Sequence, residues 1–444
     1  MPAPMSGPGT PDQRRDPDWR PPWALAVPLG IQHVLAMFVA NVTPALLVAG
    51  AAGLAPGDPA TVRLIQMCML AAGLATLMQT VGVGPVGARL PIVQGTSFAF
   101  VPLMLPLVAG QGEAGLALLA GGVLAGGVFH MALAPVIGRL RGLLPPLVTG
   151  LVVLMIGLAL VRVGIQYAAG GAALAGTPGY GAAETWAVAG VVLAVTLGLM
   201  FLGRGAWAMG AALTGILAGW AAAAALGMAD FAPVAAAPAL ALPVPLPFGV
   251  AFSVAAVLGF ALMAAVSAVE TVGDVEAITR GGAQRDATDR EIVGATWANG
   301  LGTALAGVLG GLPNTSFSQN VGLIAMTGLM SRHVVTLGAG VLILCGLVPK
   351  LGAAIASIPL PVLGGGVIVM FGMVCAAGLA ILSQVRWSRR NMGILAVSLS
   401  LGLGLQLEPG ALQHLPELPR VLLATGLLPA AALAILLNRV VPEG

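Results

Sequence analysis

The chain has 444 residues, of which 58% are hydrophobic and only 8% charged, with a formal net charge of +3. Soluble domains carry about 25% charged residues, so a soluble globular fold is excluded and an all-α polytopic membrane protein is expected. The mean hydropathy is +0.99. Gly (64) and Pro (33) recur without a Gly-X-Y period, which excludes collagen, and the small net charge points to no nucleic-acid partner.

Residues 1–22 are polar and Pro-rich and carry Arg14, Arg15 and Arg20. They lack the apolar core and small-residue cleavage site of a signal peptide, so they read as a tail before a retained first span. That span, 24–48, places Gln32, His33 and Asn41 inside an apolar run. His33 reads either as structural support between helices or as part of a ligand set, and both readings stay open. Further spans are expected near 61–82, 92–108, 114–135, 143–166, 184–202, 206–228, 249–273, 291–310, 315–329, 333–349, 361–382, 392–406 and 418–438. The total is about fourteen. Cys68, Cys345 and Cys375 lie in apolar segments without metal-ligand spacing and read as small packing residues. His130, His333 and His414 fall at span ends or in loops.

Basic residues set the orientation. With a cytoplasmic N-terminus, the inside set is Arg14, Arg15, Arg20, Arg89, Arg139, Arg141, Arg204, Arg280, Arg285, Arg290, Arg332, Arg386, Arg389, Arg390 and Arg439. The outside set is Arg63, Arg162, Lys350 and Arg420, so both termini are expected in the cytoplasm. The longest charged loop, 273–292, falls on that side and reads as a solvated connector past Asp274. No phosphate-cradling loop is present, and the expectation is that ATP does not drive the protein directly. No Ser/His/Asp or metal-ligand set is present either, so an enzyme is not expected.

Two spans are broken. The third reads LPIVQGTSFAFVPLM (90–104) and the tenth LPNTSFSQNVGLIAM (312–326); both open with Leu-Pro and carry Thr-Ser-Phe. Each is the third of seven when the fourteen are halved, and an odd number inserts the second half upside down. Paired interrupted segments at matching positions of inverted halves point to a transporter binding site at mid-membrane. A helix that starts there turns unpaired backbone N–H groups and the positive end of its dipole towards a cavity. In the eighth span a continuous apolar run carries Glu270 into the membrane, with Asp274 one turn on and on the same face. An ionisable residue at that depth is costly and by default functional. Asn299 is an intramembrane amide in the ninth span.

These segments resemble the nucleobase–ascorbate transporter family, also called nucleobase:cation symporter 2 or the xanthine/uracil permeases. Its signature is [Gln/Glu/Pro]-Asn-X-Gly-X-X-X-X-Thr-[Arg/Lys/Gly], and Gln319-Asn320-Val321-Gly322-Leu323-Ile324-Ala325-Met326-Thr327-Gly328 meets every fixed position. QHVLAMF from Gln32, QGTSFAF at 94–100, ETVGD at 270–274 and GLPNTSFSQN at 311–320 agree in order and spacing. The resemblance implies fourteen segments in two inverted repeats, with a short strand before each half-helix. It implies a core domain (23–136 and 248–350) that moves against a gate domain (137–230 and 359–439) in a homodimer of the cytoplasmic membrane. Glu270 and Gln319 are then expected to bind a nucleobase, with Phe98 and Ser318 meeting it through backbone N–H groups and Phe98 packing on its ring. His33, Asp274, Asn320, Asn299 and Gln94 are expected as the supporting or proton-coupling shell. No cofactor is implied, and the coupling ion is a proton rather than sodium. Gln319 favours xanthine or urate, whereas Asn299 resembles the uracil branch. An anion exchanger or channel of the sulfate-permease type is the alternative of another class.

Overall fold

The computed structural model describes residues 9–442 apart from 56, 138–144, 172–173, 205, 318–319, 321–322 and 325–326. The chain is mostly helical. Among the described residues, eight helices are long and apolar enough to cross a membrane, or up to ten if each of two bent helix pairs is one span.

Contacts divide the chain into two compact units. The first comprises Met1–Ser97, Leu107–Gly138 and Ala232–Ala356. Its helices are α1 (Trp23–Ala52), α2 (Pro59–Val81), α4 (Gly112–Leu133), α8 (Val254–Ile278), α9 (Asp289–Leu309), α10 (Arg332–Leu347) and α11 (Pro349–Ala356). The second comprises Phe98–Pro106, Arg139–Phe231 and Ser357–Gly444. It holds α5 (Pro146–Ala168), α6 (Ala183–Leu202), α7 (Ala211–Ala225), α12 (Leu360–Leu382), α13 (Arg389–Leu407), α14 (Glu417–Ala424) and α15 (Leu427–Val440). The short helix α3 (Val101–Val108) runs across the sequence boundary at Pro106.

Helix starts in the first unit follow from local chemistry. Asp58 caps α2 by accepting from Ala60 N (2.8 Å), and Pro59 occupies the first turn, where its missing N–H costs nothing. Ser253 caps α8, and Thr288 forms a capping box with Glu291 at α9. α1 is 30 residues long, roughly 45 Å at the usual rise, and ends at Gly53, whose φ of 83° is the left-handed conformation that closes a helix.

Lipid offers no hydrophobic drive for helices to associate, so close packing and small residues carry the contacts. At the α2–α10 contact a side chain on Gly346 would meet Leu70 N at 2.6 Å. At the α4–α9 contact one on Gly127 would meet Ala304 N at 2.4 Å. α1 packs on α10 and α8 on α4. Exchanging α1, α2 and α4 for α8, α9 and α10 therefore maps this set of contacts onto itself.

The same exchange relates two short strands. β1 (Gln94–Thr96) pairs antiparallel with β2 (Asn314–Ser316), in the register Gln94–Ser316, Gly95–Thr315, Thr96–Asn314. Beyond the strands, Ser97 N donates to Pro313 O (2.8 Å) and Phe317 N to Val93 O (2.9 Å). Each strand is latched to a helix by one threonine. Gln94 N donates to Thr76 Oγ1 (2.9 Å), whose hydroxyl lies 3.3 Å from Gln94 O. Asn314 N donates to Thr303 Oγ1 (3.1 Å), whose hydroxyl lies 3.3 Å from Asn314 O. Strand edges in the middle of apolar helices need such partners, because lipid supplies none.

Two elements depart from the sequence expectation. The connector expected over 273–292 is shorter, since α8 continues to Ile278 and a wide helical turn runs on through Thr279–Ala283. Thr279 helps to hold this extension by donating back to Val275 O (3.0 Å). The N-terminal segment is not a detached tail over its described part. Met330 N donates to Arg14 O, Arg332 N to Pro17 O and the Ser331 hydroxyl to Trp19 O, while Arg332 pairs with Asp18 at 2.6 Å. This docking ties residues 14–19 to the start of α10.

In the second unit α12 is packed on α5, where a side chain on Gly364 would meet Ala168 N at 2.0 Å. Arg390, at the start of α13, holds the end of α15 through Val441 O (2.8 Å) and Asn438 Oδ1 (3.0 Å). The spans expected near 206–228 and 392–406 correspond to α7 and α13.

Candidate functional site

The polar groups of the first unit converge on the strand pair. Thr315, at the centre of β2, donates its hydroxyl to Glu270 Oε2 (3.0 Å). The neighbouring Ser316 hydroxyl donates to Asp274. Glu270 and Asp274 are one turn apart on α8, so β2 engages one acidic face of that helix with two successive hydroxyls. Asp274 is buried and lies four residues before the end of α8, not at a solvated margin.

Behind this contact is a second layer. Ser267 Oγ donates to Thr315 Oγ1 (3.3 Å), and Thr271 donates to Ser267 O (3.0 Å). Asn299 of α9 donates its amide to Thr271 Oγ1 (2.7 Å). Asn299 is fully buried and ties α9 to α8 one helix away from the carboxylates. On the other strand, Asn41 Oδ1 of α1 accepts from Thr96 N (2.8 Å) and Thr96 Oγ1 (3.1 Å). Gln94 is completely buried, and its amide has no hydrogen-bond partner among the described residues. It stands opposite Ser316 in the register, and directly opposed residues share a sheet face.

His33 and Asn320 form a separate buried pair. Asn320 Nδ2 meets His33 Nδ1 (2.9 Å) and donates to the His33 carbonyl (3.0 Å). The carbonyl can only accept, which fixes the amide orientation. The ring nitrogen facing that NH₂ is therefore the acceptor, and a neutral His33 carries its proton on Nε2.

Of the residues expected at the site, Gln94 is part of β1, Glu270 and Asp274 bond β2, and Asn299 stands behind them, all in one unit. His33 and Asn320 pair with each other without a hydrogen bond to that cluster. Phe98 belongs to the second unit, where its ring meets Phe371 edge to face with centroids 5.4 Å apart. Gln319 and Ser318 lie outside the described residues, as does Gly322 of the signature. The sequence reading missed the hydroxyl partners Thr315, Ser316, Ser267 and Thr271 and the latches Thr76 and Thr303. The repeated Thr-Ser of the two broken spans is the signal for Thr315 and Ser316. The latch threonines have no local mark, since only the strand docked on each gives it a role. Among the described residues, no group of three or more His, Cys, Asp or Glu could hold a metal ion.

The fold and site define a polytopic helical membrane protein with hydroxyl-bearing strands set against an acidic helix face. The chain belongs to the permease family whose model, Xan_ur_permease, matches residues 25–410. It is 35% identical to the xanthine permease XanQ of Escherichia coli K12 over 434 residues, which covers 96% of this chain and 93% of XanQ. It is 34% identical to the uric acid permease PucJ of Bacillus subtilis over 414 residues, covering 92% and 91% of the two chains. Among solved structures, the transmembrane domain of the cyanobacterial bicarbonate transporter BicA has a similar fold, with a TM-score of 0.57 at 16% identity. That match covers 93% of this chain and 96% of the BicA chain.

Proposed function

We propose that this permease is a secondary active transporter that takes up a purine nucleobase, xanthine or urate, together with a proton across the cytoplasmic membrane. The observation that carries the reading is the Glu270 carboxylate held by the Thr315 hydroxyl at the strand pair. The names of XanQ and PucJ support the purine class.

The chemistry is direct. A purine presents ring N–H donors and carbonyl acceptors on adjacent edges, and Glu270 supplies the acceptor that an N–H needs. Gln319 is proposed for the edge that presents both a donor and an acceptor. A carboxylate is strengthened as an acceptor when water is excluded around it. Glu270 takes its hydrogen bond from a neutral hydroxyl, so it can gain a proton without orphaning a buried cation. Asp274, on the same helix face, and the His33–Asn320 pair are proposed to support this proton step.

We further propose fourteen segments in two inverted repeats, with both termini cytoplasmic and two copies forming a dimer. The threonine latches and the exchangeable helix contacts of the first unit support the repeat. The core, 23–136 and 248–350, is proposed to move against the gate, 137–230 and 359–439, in elevator-like alternating access. An inorganic anion as cargo is disfavoured, because two carboxylates face β2; the likeness to BicA speaks to the fold alone.

Uptake of labelled xanthine, uric acid and uracil in a host lacking its own permeases tests the proposal. Xanthine or urate is expected to accumulate, a protonophore to collapse the uptake, and Glu270→Gln to abolish it. Uracil uptake without purine uptake reassigns the cargo, and full uptake by Glu270→Gln removes the proton mechanism.

A further inference from the structure

Away from the strand pair, the basic end of the first unit carries a cavity of about 310 Å³, within the range of roughly 300–1,000 Å³ that holds small ligands. Arg89, Arg285, Arg290, Thr288, Asp18 and Glu291 line it. Its charges do not cancel. Glu291 is engaged by Arg285 Nη1 (2.9 Å) and by Thr288 through its N–H (2.8 Å) and hydroxyl (2.9 Å). Asp18 is held by Arg332 at 2.6 Å. Both lining acids are thus paired. Arg89 reaches only a backbone carbonyl, Gly82 O, at 3.4 Å. Arg290 is exposed and has no hydrogen-bond or ion-pair partner among the described residues. Two of the arginines that line the cavity therefore have no counter-ion among the described residues.

The backbone holds one of them in an uncommon conformation. Arg89 has φ 57°, a left-handed geometry that is strained for a non-glycine residue and persists only where its surroundings impose it. The imposing bonds are Arg89 N to Gln79 O (2.9 Å) and Gly87 N to Gly294 O (2.8 Å), which pin the loop to α2 and α9. The docked residues Pro17 and Asp18 complete the cavity wall.

We propose that this cavity binds a phosphate group. The planar guanidinium fork matches phosphate oxygens in bidentate fashion, and two unpaired forks at the end of membrane helices suit an anionic group at headgroup depth. The phosphate belongs either to an anionic phospholipid or to a free phosphate ion, and the two sources share this chemistry.

The full-length protein is tested in two arms. In detergent, inorganic phosphate is titrated against thermal unfolding at constant ionic strength. In nanodiscs, phosphatidylglycerol is titrated into phosphatidylcholine and retained lipid is counted by native mass spectrometry. At least one probe is expected to bind, with the affinity lowered about tenfold by Arg290→Gln and by Arg89→Gln. Arg280→Gln, whose residue pairs with Asp286 at 2.9 Å outside the cavity, is expected to leave binding unchanged. Retention of the lipid alone identifies a headgroup site, and binding of inorganic phosphate alone identifies a soluble ligand. The proposal is overturned if neither probe binds, or if both arginine variants bind as the wild type does. Because Arg290 has no partner to lose, misfolding of Arg290→Gln is not expected, and Arg290→Lys gives a check that keeps the charge but not the fork.

Discussion

Replacing Thr315 by valine keeps the volume and β-branched shape of a strand residue while deleting one hydroxyl. That hydroxyl donates to Glu270 Oε2 at 3.0 Å and accepts from Ser267 Oγ at 3.3 Å. A hydrogen bond to a charged group contributes about 1.5–3 kcal/mol. The low end of that range, about 1.5 kcal/mol, corresponds to roughly tenfold in an equilibrium constant. If the bond holds Glu270 where a purine N–H must find it, that cost falls on substrate binding. Thr315→Val is therefore expected to raise the KM for labelled xanthine about tenfold, with transporter abundance unchanged on immunoblots. Thr315→Ser, which restores the donor, is expected to recover most of the affinity. Ser267→Ala removes a donor to Thr315 and a long contact from Asn299 Nδ2 (3.5 Å) while leaving the Thr315–Glu270 bond in place, and is expected to raise KM less than threefold, on the order of 0.5 kcal/mol. An unchanged KM in Thr315→Val, in a protein that Glu270→Gln inactivates, refutes the positioning role and leaves the bond structural.

Two further predictions concern the strand pair. A side chain on Gly95 would lie 2.5 Å from Phe317 Cε2, 2.6 Å from Met37 Cε and 2.9 Å from Asn41 Oδ1. Gly95→Ala is thus expected to cost about 1–3 kcal/mol by overpacking, read as a lower unfolding temperature in detergent with loss of uptake; a wild-type melting temperature contradicts the packing. Thr76→Val and Thr303→Val each leave a buried strand N–H unpaired, expected to cost about 1–3 kcal/mol apiece, and matching shifts in melting temperature check the equivalence of the two latches.

What could be read from the sequence divides along physical lines. Glu270 was legible because desolvating a carboxylate is so unfavourable that its presence within an apolar run needs a reason. The broken spans were legible because Leu-Pro and glycine interrupt runs that are otherwise continuous, and β1 and β2 fall at those interruptions. Asp274 was legible only through its place one turn from Glu270. Beside charged residues it looks like the edge of a loop, yet the hydroxyl of Ser316, 42 residues later, lets it stay buried. Residues 14–19 were equally opaque, since a polar, Pro-rich segment carries no sign that Met330, Ser331 and Arg332 will donate to it.

The latches make the same point more sharply. Thr76 precedes its strand residue by 18 positions and Thr303 precedes its own by 11. No common spacing betrays their equivalence, although each performs the same double bond to a strand's first residue. Their correspondence exists only in space, because a strand at membrane depth must satisfy its backbone from whichever helix lies beside it. The resemblance of Thr-Ser-Phe at 96–98 and 315–317 therefore understates the relation between the two halves. The repeated element is a strand together with the helix hydroxyl that holds it, and that pairing places Thr315 and Ser316 against the two acids of α8.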